Sequence, residues 1–159
     1  MHKHVPRPQS TIYCVGHNAV PMLIVPIIAL HRQSDNTILL SIRLQGKQLA
    51  GFYEFPGGKT EQGEIPTEAL CREIHEELDI IIQPADLKPV TFTDFRYEHK
   101  EYVLLMYYCN HYQGTAIGNE GQEIHFVPLE NLDDYKMPPA NAAMIPVLKQ
   151  FITDRLPRA

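Results

Sequence analysis

The sequence predicts a mixed fold of the α/β or α+β class, because strand-like and helical stretches alternate along its 159 residues. Dense apolar runs that are typical of strands occur at residues 22–31 and 102–111. Between them, residues 66–78 carry apolar side chains at helical spacing, and residues 141–156 predict a terminal helix. The length and the 44% hydrophobic content fit one domain with a sizeable core.

Three strands are predicted before the first helix. They cover residues 22–31, 37–43 and 52–56. Pro26 interrupts the first run and predicts a bulge or an edge position there, because proline cannot donate to a sheet ladder. The pair Asp35-Asn36 is a turn signal, so the first two strands are expected to form a hairpin. Residues 44–50 then predict a loop.

The part of the chain after the first helix predicts three more strands and the terminal helix. The strands cover residues 89–98, 102–111 and 123–128, and the helix covers residues 141–156. The first two strands are expected to pair as antiparallel neighbours. Residues 129–139 predict an irregular segment that ends at a double proline, and Pro146 is expected in the first turns of the terminal helix, where proline is tolerated.

Charge and cysteine usage exclude several classes of protein. The net charge is −5, with a pI near 5.9, which argues against a nucleic-acid-binding surface but not against a nucleotide whose phosphates are screened by metal ions. Cys14, Cys71 and Cys109 are widely spaced and form no CxxC pair, which favours a reducing cytoplasm over a disulfide framework or a zinc ribbon. No run approaches the roughly 18 apolar residues that span a membrane. Residues 1–20 predict a flexible N-terminal extension, which leaves residues 21–159 as the domain.

The first helix concentrates acid on one side. Glu73, Glu76 and Glu77 stand at positions i, i+3 and i+4 and share one arc, whereas Ile74 and Leu78 lie on another and can face a core. Like charges at this spacing weaken a helix. A divalent cation is the simplest group that offsets the repulsion; an ordinary solvated acidic face is the alternative.

Three flanking features favour the metal site. Glu64 adds a further acid before the helix, and Pro66 suits its first turn because the missing N–H would be unpaired there. Gly57 and Gly58 follow an apolar strand-like run, where the backbone can approach a ligand closely.

The spacing of these residues resembles the Nudix box, the spaced motif of a large hydrolase family. The matching residues are Gly58, Glu64, Arg72, Glu73, Ile74, Glu76, Glu77 and Ile80. The one departure is Asp79, which stands where the family has a glycine. Because aspartate visits the left-handed conformation more readily than most residues, we expect the helix to end normally.

This resemblance implies an α/β/α sandwich around a mixed β-sheet and a single hydrolase domain over residues 21–159. It implies a hydrolase that acts on a diphosphate linked to another moiety, with Mg²⁺ as cofactor and Mn²⁺ as a substitute. Glu73, Glu76 and Glu77 become candidates for metal ligands or for the general base, and the Gly57 carbonyl becomes a further ligand. Glu64 and Arg72 are expected to brace the loop and the helix by charge-assisted hydrogen bonds, with a phosphate clamp as the alternative for Arg72.

Outside the box the chain resembles the MutT-type subgroup. The runs EFPGGK, GNEGQ and PPAN, at residues 54–59, 118–122 and 138–141, carry this likeness. It implies that Glu120 joins the metal site and that Asn141 reads the edge of a purine, since an amide both donates and accepts. The alternative for Asn141 is the N-cap of the terminal helix, and both roles are compatible.

The same resemblance implies a set of substrate-binding residues. They are Arg43, Glu54, Phe55, Pro56, Gly57, Lys100 and Asn141. Arg43 corresponds to a basic residue near the substrate phosphate, with a surface arginine as the alternative; residues 54–57 line the nucleotide pocket, with an ordinary strand as the alternative. The subgroup has an arginine against the base where this chain has Lys100, which lacks the flat guanidinium fork. This departure bears on the selection of oxidised guanine and leaves the hydrolytic machinery unchanged.

The subgroup implies hydrolysis of 8-oxo-dGTP to 8-oxo-dGMP and pyrophosphate, which keeps oxidised guanine out of DNA. One alternative is the same reaction on another nucleoside triphosphate or on a nucleoside diphosphate conjugate, and the other is a non-catalytic module that binds nucleotides. We expect a cytoplasmic monomer or weak dimer that binds a small nucleotide, with no direct binding to nucleic acid or membrane.

Overall fold

A mixed six-stranded sheet forms the centre of the computed structural model, which describes residues 20–156. The strands are β1 (Met22–Arg32), β2 (Thr37–Ile42), β3 (Tyr53–Glu54), β4 (Lys88–Tyr97), β5 (Lys100–Cys109) and β6 (Ile124–Pro128). Their order is β3-β2-β1-β5-β4, and β6 pairs with β2. The predicted N-terminal extension, apart from Val20, and Cys14 lie outside the described residues.

The predicted bulge at Pro26 is wrong, but the predicted edge position holds locally, because in the described part of the chain β1 pairs with β2 only at His31 and Arg32 and β5 is the one strand that pairs with it at Pro26. Pro26 pairs with Leu105 in a continuous parallel ladder between β1 and β5. On the other side, the Pro26 carbonyl accepts a hydrogen bond from the Gly58 N–H at 3.2 Å. The nitrogen and the carbonyl of a strand residue face the same side, so the nitrogen of Pro26 faces the loop that contains Gly57 and Gly58, called the glycine loop below. The absence of an N–H on Pro26 therefore removes no hydrogen bond to β5.

The predicted hairpin between β1 and β2 is confirmed. The strands pair antiparallel, and Asn36 adopts a left-handed backbone conformation in the turn, with φ of 53°. The buried His31 reinforces the turn, because one ring nitrogen lies 2.9 Å from Asn36 Oδ1 and the other lies 2.8 Å from the Tyr108 hydroxyl. Both polar nitrogens of this core residue are therefore satisfied.

Helices cover both faces of the sheet and complete an α/β/α sandwich, as predicted. They are α1 (Pro66–Leu78), α2 (Pro139–Ala142) and α3 (Ile145–Thr153). On one face, Leu70, Ile74 and Leu78 of α1 pack into a buried apolar cluster. On the opposite face, residues of α3 such as Leu148 and Ile152 join a second cluster with β1, β2 and β5. Each face of the sheet is thus covered by its own apolar core.

The predicted single helix over residues 141–156 is wrong, because the structure divides this segment into α2 and α3. Pro146 stands at the start of α3. It has no N–H to donate to the carbonyl of Ala142, and its ring would clash with that carbonyl in a continuous helix. The preceding segment, predicted as irregular, contains a short 3₁₀ helix over Leu129–Asp134.

The helix α1 has the predicted bounds and the predicted end. Asp79 adopts the left-handed conformation at φ 54° and ψ 31°, and its N–H donates to the His75 carbonyl at 3.0 Å. The substitution of the family glycine by aspartate therefore preserves the turn that leads out of the helix. Among residues 20–156, no helix combines the length and the apolar character needed to cross a membrane.

The backbone at Asp79 generates a stability prediction. Asp79→Gly should raise the free energy of unfolding by about 1 kcal/mol, because glycine adopts a left-handed conformation without strain. Thermal unfolding should show a rise of roughly 2–4 °C for a domain of this size. Asp79→Val removes the same charge but places a branched side chain at positive φ, and should lower the midpoint. A valine variant as stable as the wild type would contradict this account.

Candidate active site

The glycine pair after β3 lies directly against β1 and α1. Gly57 has a φ of 154°, and a Cβ added to it would lie 2.2 Å from the Pro26 carbonyl oxygen. A Cβ on Gly58 would lie 2.3 Å from the carboxyl carbon of Glu73. Any larger residue would displace the strand or the carboxylate, so the two glycines bring the backbone close to the acidic face of α1.

Arg72 connects the loop to the acidic face of the helix. Its Nε and Nη2 donate to the two carboxylate oxygens of Glu64 at 2.6 and 2.9 Å, and Nη2 also reaches the Lys59 carbonyl at 3.2 Å. Its Nη1 donates to Glu73 at 2.7 Å and lies 3.4 Å from Glu76. These bonds raise the pKa of Arg72 and lower that of Glu64. The predicted bracing of loop and helix is present.

Glu77 is a half-buried acid of the helix face. One of its carboxylate oxygens accepts a hydrogen bond from the Gly57 N–H at 3.3 Å. Burial raises its pKa to about 8, and the nearby charges of Glu73, Glu120 and Glu54 add to the shift. Without a cation, this carboxyl is therefore protonated at neutral pH.

A small pocket beside Glu77 brings together residues from distant parts of the chain. Its lining includes Ser41, Ile42, Leu44, Lys47, Glu54, Glu77, Glu120 and Gln122. The sheet explains the arrangement, because Ser41 of β2 pairs with Glu54 of β3 on one side and with Ile124 of β6 on the other. The loop before β6 therefore delivers Glu120 to the same place as Glu54.

The loop over residues 117–122 caps the carboxyl end of α1. The N–H groups of Ile117 and Asn119 donate to the carbonyls of Leu78 and Glu77 at 3.0 and 2.9 Å. The Gln122 side chain donates to the Glu77 carbonyl at 2.8 Å. Because the last carbonyls of a helix have no partner inside it, this loop satisfies them and is fixed in return.

Arg43 and Glu54 form a half-buried ion pair at the edge of the pocket. The Arg43 Nε also donates to the Gln48 carbonyl at 2.8 Å, which closes the loop between β2 and β3. The two predicted substrate-binding residues are therefore adjacent, and Arg43 is not a free surface arginine.

Asn141 is buried and fixes the strand that leads into the glycine loop. Its Oδ1 accepts a hydrogen bond from the Phe55 N–H at 3.1 Å. The alternative of a helix N-cap is wrong, because the N-cap of α2 is Pro138 and Asn141 lies inside that helix. Because α2 begins at Pro139, Asn141 lies within the helix, and its side-chain amide contacts the Phe55 backbone instead of capping the helix.

The other predicted acids do not converge on one point as they stand. Glu76 is about half exposed, at 52%, and lies on the Arg72 side of the helix. Within residues 20–156, no three carboxylate, histidine or cysteine side chains are gathered closely enough to hold a metal in this arrangement. Lys100 begins β5 at the tip of the β4–β5 hairpin, with no hydrogen bond or ion pair to another predicted site residue in the described part of the chain.

The donor chemistry nevertheless fits a hard divalent cation. Glu73, Glu77, Glu120 and the Gly57 carbonyl offer only oxygen, which Mg²⁺ prefers. Burial raises the pKa of Glu77, and the charges of Glu73 and Glu120 raise it further, so a bound cation would favour its ionised form.

Sequence reasoning missed Lys47, Ser41 and Gln122, which line the pocket. The strand pairing of Ser41 and the fold of the loop around Lys47 leave no mark in a spaced motif. Gln122 could have been noticed, because it closes the same GNEGQ run that contains Glu120.

Comparison with known proteins agrees with this geometry. The family model described as NUDIX domain matches residues 27–146. The chain is 38% identical to the 8-oxo-dGTP diphosphatase of Haemophilus influenzae over 116 residues, covering 72% of this chain and 82% of that protein. It is 29% identical to the CTP pyrophosphohydrolase of Escherichia coli over 143 residues, covering 86% and 98%.

A solved chain from a study of MutT from Aliivibrio salmonicida and Vibrio cholerae superimposes with a TM-score of 0.68 at 28% identity, covering 84% of this chain and 98% of that one. The fold and the site define a hydrolase that acts on phosphoric anhydrides. The chain belongs to the Nudix family, and its relatives include MutT-type enzymes.

The pKa of Glu77 generates a prediction for the metal-free protein. The folded state keeps the Glu77 proton up to about pH 8, whereas the unfolded chain releases it near the ordinary value of 4.5. Between these values the folded state binds more protons, so this carboxyl lowers stability as pH rises and has its full destabilising effect above pH 8.

Glu77→Gln should therefore raise the unfolding midpoint relative to wild type at pH 9 by roughly 2–4 °C per kcal/mol of repulsion relieved. At pH 5 the two proteins should unfold at similar temperatures. Thermal melts in EDTA at both pH values check this, and a difference that does not depend on pH would contradict it.

Proposed function

We propose that this protein is a Mg²⁺-dependent nucleoside triphosphate pyrophosphohydrolase that converts 8-oxo-dGTP to 8-oxo-dGMP and pyrophosphate. The observation that carries the proposal is the concentration of carboxylates around the half-enclosed Glu77, beside a glycine loop that lets a ligand approach. The 38% identity to a protein described as an 8-oxo-dGTP diphosphatase supports the choice of substrate.

Residues that would hold Mg²⁺ are the carboxylates of Glu73, Glu76, Glu77 and Glu120 and the Gly57 carbonyl. When bound, the cation would neutralise phosphate charge and lower the pKa of a coordinated water. Arg72 holds the side chains of Glu73 and Glu76 by hydrogen bonds along the helix surface, and Glu64 anchors Arg72 to the loop. One of the helix acids would accept the proton of the attacking water as its oxygen bonds to phosphorus and the anhydride P–O bond between the α and β phosphates breaks, which separates the nucleoside monophosphate from pyrophosphate.

Arg43 is suited to bind phosphate without breaking its present contacts. Its Nε and Nη1 are occupied by Gln48 and Glu54, and within residues 20–156 its Nη2 has no protein acceptor. A guanidinium has five N–H donors, so three remain, and the two on Nη2 can both donate to a phosphate. Lys47 on the same loop adds a second positive charge at the pocket.

Asn141 would read the base from the other side of the strand. Because its Oδ1 accepts from the Phe55 N–H, its NH₂ group is the part available to donate. An amide held in this orientation recognises an acceptor on the base, such as the O6 atom of guanine.

A second candidate is the same reaction on a pyrimidine triphosphate. Two observations favour it: Lys100 stands where the subgroup resemblance expects an arginine, and the CTP pyrophosphohydrolase relative is matched over 98% of its length. Hydrolysis of a nucleoside diphosphate conjugate uses the same machinery. The non-catalytic alternative is disfavoured because every carboxylate of the box is present.

The proposal includes the biological setting. A chain with net charge −5 is suited to free nucleotides with bound metal rather than to a nucleic-acid backbone. We propose that it acts on the cytoplasmic nucleotide pool as a monomer or weak dimer.

Glu77→Gln should reduce turnover at least about a hundredfold while the protein stays folded, because it removes a negative charge but little volume. Pyrophosphate release at saturating Mg²⁺ and circular dichroism provide the two measurements. Glu130→Gln is the control and should retain full activity, because Glu130 is an exposed residue of the 3₁₀ helix. Full activity in the Glu77 variant would show that the ligand assignment is wrong.

A substrate panel separates the candidates. Wild-type protein should have a kcat/KM for 8-oxo-dGTP at least about tenfold above those for dGTP, dCTP and CTP. Lys100→Arg should widen the preference for 8-oxo-dGTP, since a guanidinium can stack on or pair with the base. Comparable turnover of dCTP and 8-oxo-dGTP would reject the sanitising role and leave the hydrolytic proposal standing.

A further inference from the structure

The side-chain amide of Gln122 joins the end of helix α1 to the backbone of Glu120. Its Nε2 donates to the Glu77 carbonyl at 2.8 Å, and its Oε1 accepts from the Glu120 N–H at 2.9 Å. One planar amide thus holds the backbones of two acids that are 43 positions apart in the sequence. The side chain is half-buried at the pocket, where both bonds are partly shielded from water.

We propose that Gln122 is a positioning residue that sets the spacing of the Glu77 and Glu120 carboxylates for a divalent cation. The inference rests on the proposed function, in which both acids bind the metal. Both carboxylates must be ionised to bind a cation, and two like charges in one pocket repel, so the loop that carries Glu120 needs an anchor at the helix. The Gln122 amide opposes this motion at the residues that carry the charges.

The surrounding backbone fixes Gln122 from both sides. A Cβ on Gly118 would lie 1.8 Å from the Gln122 carbonyl oxygen, so the loop closes tightly against this residue. The Gly121 N–H donates to the Gly118 carbonyl at 3.1 Å within the same turn. On the other side, Ile124 is already paired with Ser41 in the sheet. The amide is therefore oriented before any ligand binds.

Asn119 provides a matched control in the same loop. Its Nδ2 donates to the Glu76 carbonyl at 3.0 Å, so it also caps the helix with a side-chain amide. Its side chain makes no hydrogen bond to Glu120 in the described part of the chain. Asn119→Leu and Gln122→Met each replace an amide by an apolar group of similar size, but only the second removes the link between the two acids.

The test measures Mn²⁺ binding to the folded protein without nucleotide, by the loss of the free Mn²⁺ signal in electron paramagnetic resonance. Gln122→Met should raise the Kd for Mn²⁺ at least about tenfold, the effect typical of residues that orient metal ligands. Asn119→Leu should change it less than about twofold. Thermal melts in EDTA should show a loss of stability for both, larger for Gln122→Met because it removes two hydrogen bonds and Asn119→Leu removes one.

Kinetics give a second readout. The Mg²⁺ concentration for half-maximal rate should rise about tenfold in Gln122→Met, in step with the loss of affinity. At saturating Mg²⁺ the KM for the nucleotide should stay near the wild-type value. A purely structural role would instead lower the fraction of active enzyme and leave the Mg²⁺ dependence unchanged.

The inference is overturned if Gln122→Met binds Mn²⁺ as the wild type does, or if Asn119→Leu weakens binding equally. If Gln122→Met fails to fold, Gln122→Asn takes its place: it keeps the amide but is one methylene too short to reach both partners, and the same loss of affinity is expected. Wild-type protein that binds no Mn²⁺ would instead reject the metal site of the proposed function, and the positioning role with it.

Discussion

Repulsion among partly buried carboxylates is the constraint on which the rest of the site depends. The charges of Glu73, Glu120 and Glu54 surround Glu77, and together with burial they hold its pKa near 8. Ionising Glu77 at this place lowers the stability of the fold, because burying an uncompensated charge has a high free-energy cost. A carboxyl group with this cost beside a pocket is typical of a binding site, and a cation would offset the negative charge of the surrounding carboxylates.

Three sets of contacts hold the site together against this repulsion. The glycine loop lies so close to β1 that no side chain fits at Gly57, and a side chain at Gly58 would displace the Glu73 carboxylate. Arg72 ties the outer acids to that loop. The loop over residues 117–122 is held by the unpaired carbonyls of α1, so the end of the helix is both capped and used as an anchor. The acids are therefore positioned by contacts that do not themselves need the metal.

The sequence was sufficient for elements with strong local signals and insufficient where partners are remote. The bounds of α1 and its left-handed end at Asp79 follow from periodicity and turn chemistry, and the structure confirms them. Pro146 lies in the first turn of a helix, as predicted, but the bulge at Pro26 and the single helix over residues 141–156 are wrong for one reason. A proline shows which hydrogen bond is missing, but not which side of a strand or which helix boundary carries the loss. The meeting of Glu54 with Glu120 depends on two strands pairing with β2, which no local pattern encodes.

The orientation of Asn141 limits what the site can distinguish. If Asn141 reads the base as proposed, its oxygen is engaged by Phe55 and its NH₂ group is the part directed to the base, and both guanine and cytosine present acceptors. One donor therefore cannot separate purine from pyrimidine, which fits a family in which relatives of this chain are described as acting on 8-oxo-dGTP and on CTP. Discrimination must then come from a second group at the base. The proposed second group is Lys100, which lies at the tip of the β4–β5 hairpin and makes no hydrogen bond to the acids of α1 in the described part of the chain. The separation of hydrolysis from base selection thus follows from placing them on different elements of one sheet.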